Sequence, residues 1–99
     1  MSRASIERRL RDVADRLKRL RAELAVADEQ CAHLSGEADD ARLRALVSET
    51  PLAQAEAQDA ARHARAQEAQ RDDLVRSIRQ LETEQDALLD QMAAEMSGS

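Results

Sequence analysis

Large apolar residues stand at Ile6, Leu10, Val13, Leu17, Leu20 and Leu24, separated by steps that alternate between four and three. Ala27, Cys31, Leu34, Ala38, Ala41 and Ala45 continue the same spacing. A residue type that recurs every 3.5 positions stays on one side of an α-helix, so this pattern demands a long helix with one apolar seam that another helix must cover. Leu10 takes the a position of the heptad and Val13 the d position. Gly36 falls off the seam and is expected to leave the helix unbroken.

The repeat is interrupted at one place. Pro51 has no N–H to donate, and its ring would strike the preceding turn of a continuous helix. It suits the first position of a new helix, with Thr50 as the N-cap before it. A second heptad then runs through Ala53, Ala57, Ala60, Ala64, Leu74, Ile78, Leu81, Leu88 and Met92. The expected fold is all-α: a long antiparallel two-helix coiled-coil hairpin turning near Glu49-Thr50-Pro51. Arm one covers about 4–48 and arm two about 51–96, each roughly 65 Å at ~1.5 Å per residue. Residues 97–99 are expected to form a disordered tail, and residues 1–99 together a single hairpin.

A register follows. A turn centred near Glu49 makes facing seam positions sum to 98, which sets Leu10 against Leu88, Leu17 against Leu81, Leu20 against Ile78 and Ala41 against Ala57. Large residues meet large ones at the open end, and small meet small near the turn. On one flank the register predicts Arg16 beside Glu84, Arg9 beside Gln91, Arg44 beside Glu56 and Glu37 beside His63. On the other it brings Asp28 towards Glu68, a like-charge conflict. The middle of the seam is weak, with Cys31 facing Gln67 and Ala27 facing Arg71.

Composition agrees with this reading. The chain has no Phe, Trp or Tyr, two Gly and one Pro, so it lacks the aromatic bulk of a compact enzyme core and the residues of a loop-rich fold. A net charge of −5 argues against binding along a nucleic-acid backbone. The single Cys31 cannot form an internal disulfide, which points to a reducing cytoplasm. No run of about 18 apolar residues is present to cross a membrane, and the Arg-rich N-terminus lacks the apolar segment of a signal peptide. Abundant Ala and Arg, with Lys18 the only Lys, suggest a GC-rich bacterial genome.

Off the seam, three features are candidates for function. Leu43, Leu46 and Val47 precede the turn, with Glu49 in it and Leu52 just after. They read either as a cluster closing the hairpin tip or as an exposed docking patch. Val75, Leu89 and Met96 occupy e positions on arm two and widen its apolar stripe beyond a two-stranded seam, as in helices of larger bundles. This lateral face is expected to pair two copies into a four-helix arrangement. The third feature is the basic cluster Arg3, Arg8, Arg9, Arg11, Arg16, Lys18, Arg19 and Arg21. It complements the net acidic residues 80–99 or, alternatively, an acidic partner or nucleic acid, although no aromatic platform is present on which the bases of a single strand could stack.

Catalytic and ligand sites are not expected. Cys31 and His33 point to nearly opposite sides of one helix and cannot share an ion. Asp39-Asp40 and Asp72-Asp73 diverge by ~100° on a helix, with no cleft to perturb them. No catalytic constellation and no phosphate-binding loop occurs, so no metal, cofactor or small-molecule ligand is expected.

Two resemblances bear on partners. A helical hairpin with an acidic residue, here Glu49, at its tip looks like the coiled-coil arm of bacterial transcription factors that enter the secondary channel of RNA polymerase (the Gre and DksA/TraR families). The second globular domain and the zinc-binding cysteines of those families are absent here. Arg76, Gln80 and Glu84 are similar to the latter part of a helical cyclic-di-GMP-binding signature of actinobacterial anti-sigma factors. Ala69 and Asp73 replace its preceding Glu and Ser. Neither places the chain in a family. The expected function is that of a non-enzymatic structural or adaptor protein, binding itself or a larger protein through helix faces and the tip. The alternative is a small bacterial regulator that binds RNA polymerase or a sigma factor.

Overall fold

The computed structural model describes residues 2–98 and consists of two helices, α1 (Arg3–Ser48) and α2 (Pro51–Gly98), packed as a hairpin. Every described residue except Ser2, Glu49 and Thr50 is helical. Ser2 caps α1: its Oγ accepts the Ser5 N–H at 3.2 Å, satisfying one of the donors that a helix start leaves unpaired. Two expected boundaries shift. α1 starts one residue earlier than expected, and α2 continues through Ser97 and Gly98. The strong helix formers from Ala93 to Met96 carry it past the expected start of the tail, whose last residue, Ser99, lies outside the described residues.

The chain divides into two compact units, Met1–Glu23 with Leu74–Ser99, and Leu24–Asp73. In the first, Ile6, Val13, Leu17, Ile78, Leu81 and Leu88 are buried, while Leu10, Leu20, Leu74, Gln85 and Met92 are half-buried. In the second, Ala27 and Ala41 are buried, and the seam positions of α2 from Ala53 to Arg71 are half-buried. These are the a and d positions of the two heptads. The buried side chains of the first unit are large aliphatic ones and those of the second are alanines, so most of the apolar stabilisation resides in the first unit.

Cross-helix pairs run in antiparallel order in both units. Arg9 meets Glu84 and Arg21 meets Glu82 in the first. Asp28 meets Arg71 and Gln30 meets Gln67 in the second. Several expected partners are exchanged. Glu84 takes Arg9 rather than Arg16, with Nε and Nη2 both 2.5 Å from its Oε1. The long guanidinium bypasses the neutral amide of Gln91 for a carboxylate on the same flank. Glu37 binds His33 one turn away at 3.1 Å rather than His63. The expected Asp28–Glu68 conflict is relieved, because Arg71 turns out of the seam and donates to Asp28 at 2.6 Å. Gln67 Nε2 likewise reaches across to α1 and donates to Gln30 Oε1 at 3.0 Å. Among the described residues, no buried side-chain polar atom lacks a partner, and in the weak middle of the seam Gln67 and Arg71 both find polar partners on α1 at the surface.

Gly36 has nothing within 4 Å of where a Cβ would stand, and its φ is not positive. Its backbone freedom is therefore lost on folding with no steric compensation. Gly36→Ala should raise stability by about 0.5–1 kcal/mol, read as a shift in the urea midpoint with an unchanged slope. No gain would place a contact at this exposed position.

Candidate interaction surfaces

The tip is built by backbone chemistry. α1 ends when Glu49 enters the left-handed region at φ 53°, with its N–H donating to the Ala45 carbonyl at 3.0 Å. This is an αL cap of the kind glycine usually supplies. Ser48 Oγ donates to the Arg44 carbonyl one turn back at 2.7 Å, which ties the last side chain of α1 to its own backbone. Thr50 Oγ1 accepts the Ala53 N–H at 3.2 Å, and Pro51 follows at the first helical position, as expected from the sequence. The two linking residues are thus held by caps on both sides.

On this frame Leu43, Leu46 and Val47 lie at i, i+3 and i+4 on the side of α1 away from the seam. They are 60%, 70% and 82% exposed, and Leu52 is 71% exposed. The side chains do not fold over the turn to close it. Glu49 is exposed beside them. Beneath, Ala41 is buried and Ala45, Ala53 and Ala57 are half-buried. All four aliphatic side chains at the tip are thus exposed to solvent.

The lateral face is less uniform. Leu89 and Met96 are 51% and 59% exposed, but Val75 is half-buried and forms only an edge of that stripe. Val26, 55% exposed, was not among the expected surface residues. Its place off the heptad seam is the signal that would have found it.

The basic cluster meets the acidic arm at two points, Arg9 on Glu84 and Arg21 on Glu82. The hydrogen bond to Glu84, reinforced by its charge, holds the Arg9 guanidinium above its ordinary pKa. Asp28 does the same for Arg71 in the other unit. Arg3 is engaged by Glu7 on its own helix and Arg8 by Ser5 Oγ. Arg11, Arg16, Lys18 and Arg19 extend into solvent. Exposed pairs of this kind contribute little stability, ~0–1 kcal/mol each; their value lies in selecting which helix faces meet.

Among the described residues, no group of three side chains could hold a metal ion, and no helix is long and apolar enough to cross a membrane. The fold and surfaces define an all-helical coiled-coil hairpin. No protein-family model matches the chain, and the searches of curated proteins and of solved structures found no match.

Proposed function

We propose that this chain is a non-enzymatic coiled-coil adaptor of a reducing cytoplasm, which docks a larger protein through the hairpin tip and pairs with a second copy through its lateral face. The observation that carries the reading is the tip itself. Four large aliphatic side chains stand 60–82% exposed around a turn fixed by caps. Scattered apolar residues are ordinary on a surface, but a cluster on a rigid support is the arrangement expected of a binding patch. Rigid presentation lowers the ordering cost of association.

A second reading follows from Glu49, whose carboxylate stands exposed at the turn among those aliphatic groups. It is that of a small bacterial regulator that inserts an acidic tip into RNA polymerase or binds a sigma factor.

The test is cross-linking and recovery from the native host, comparing the wild type with Leu46→Asp, Val47→Asp. Losing aliphatic anchors from an interface centre costs ~2 kcal/mol or more each. The variant should therefore lose a specific partner by roughly a hundredfold or more, while its thermal midpoint stays unchanged because both side chains face solvent. Recovery of the same partner by both proteins would refute docking at the tip. Purified RNA polymerase, tested with Glu49→Gln, distinguishes the second reading.

A further inference from the structure

We infer that the unit formed by residues 2–23 and 74–98 pairs with a second copy side by side and in the same direction, so that the basic α1 segment of each copy lies along the acidic α2 segment of the other. This rests on the self-association proposed above and assigns its geometry.

The first observation is an uneven distribution of charge. In this unit the α1 segment carries eight basic and four acidic side chains, and the α2 segment two basic and five acidic. Among the described residues, the ion pairs Arg9–Glu84 and Arg21–Glu82 join the two segments and draw on this imbalance. One side of the unit is therefore left positive and the other negative.

The second observation is where the apolar residues lie. The flank lined by Arg9 and Glu84 also carries Arg8, Asp12 and Gln91, so charged and amide groups border whatever apolar surface Ala87 and Leu88 leave there. The opposite flank presents Leu89, Ala93 and Met96, spaced i, i+4 and i+7 on α2, and Ala14 on α1, all exposed. Small residues beside two large aliphatic ones admit a close approach by another helix.

Charge then decides which symmetric pairing is allowed on that flank. A two-fold axis across the flank would set α1 on α1 and α2 on α2, opposing like charges. A two-fold axis along the helices sets α1 on the partner's α2, opposing unlike charges, and like-charge juxtaposition is what excludes the wrong arrangement. In this second arrangement the seam register also applies between copies. Arg11 then lies at the level of position 87, next to the partner's Asp86, and Ala4 lies at the level of position 94, next to the partner's Ala93. Arg11 and Asp86 are both exposed.

Sedimentation equilibrium of the full chain at low salt tests the arrangement. The wild type should be a dimer, and Leu89→Glu should dissociate it. Arg11→Asp and Asp86→Arg should each weaken the dimer by roughly tenfold, since each reversal creates two like-charge contacts per dimer. An equimolar mixture of the two variants should restore it, because in the mixed dimer both contacts are again unlike. A monomeric wild type would overturn this pairing and the self-association reading together. A wild-type dimer indifferent to the reversals, or variants that fail to recover on mixing, would overturn the arrangement and leave self-association standing.

Discussion

Leu17→Ala should lower the unfolding free energy by about 2–5 kcal/mol, the range for truncating a buried leucine. Leu17 is 1% exposed, in the same unit as the buried Val13, Ile78 and Leu81. Removing its three terminal carbons forfeits their transfer out of water and leaves a void that a two-helix seam can only partly collapse to fill. That is a large share of the 5–15 kcal/mol of a typical small domain. Leu46→Ala removes the same atoms from a side chain that is 70% exposed, and should stay within about 0.5 kcal/mol of the wild type. Ala41→Gly, at a buried alanine near the turn, should cost about 1 kcal/mol from helix propensity. Urea unfolding of the three variants at one protein concentration gives the comparison. Equal losses at positions 17 and 46 would show that the seam does not lie on the heptad.

The seam was legible because a coiled-coil heptad is local arithmetic. Each residue's side of the helix follows from its own position, with no knowledge of a distant neighbour. Every a and d position from Ile6 to Ala45 and from Ala53 to Met92 is accordingly buried or half-buried. Pro51 and Thr50 were legible for a similar reason, since the missing N–H of one and the hydroxyl of the other act within three residues.

Flank pairing was not legible. Arginine's long side chain can reach past its register partner, so the choice of Glu84 by Arg9, or of Asp28 by Arg71, depends on which carboxylates lie within that reach and not on register alone. The left-handed Glu49 was also missed. No glycine marks the position, and the conformation is imposed by the need to end α1 before Thr50 can cap α2. Whether Leu43, Leu46, Val47 and Leu52 covered the turn or faced outwards required coordinates, because both arrangements satisfy the same spacing. The identity of a partner is not written in a seam at all. Heptads specify how two helices align, and residues off the seam state only that a surface is apolar or charged.

Replacing the turn's helix-breaking chemistry should change the molecule most. In Thr50→Ala, Pro51→Ala we expect α1 and α2 to fuse into one continuous helix, and two such chains to pair by exchanging arms. Three contributions favour this. Pro51 is about 3 kcal/mol less favourable than alanine within a helix, partly because its ring would strike the Val47 carbonyl. Glu49 at φ 53° pays roughly 1–2 kcal/mol for a left-handed conformation that a continuous helix would release. Loss of the Thr50 hydroxyl removes the cap on Ala53, about another 1 kcal/mol. The seam opposes the change only at the old turn, where the eight-residue step from Ala45 to Ala53 departs from the heptad and the fused helix must twist locally to keep both halves of the seam facing the partner. Because seam position n faces position 98 − n, a second antiparallel copy offers the same residues to α1 that its own α2 offered, so every layer is rebuilt between chains. Exchange of identical elements is a low-cost route to dimers when a hinge is altered. Mass alone does not distinguish this from side-by-side pairing, so the measurement is an intrachain distance. Spin labels at Ile6→Cys and Met92→Cys, introduced in a Cys31→Ser chain and diluted into unlabelled protein of the same sequence, should be close together with the native turn. With the double alanine turn they should be separated by most of the length of the fused helix. Labels that stay close in the variant would show that the hairpin is held by its seam and not by its turn.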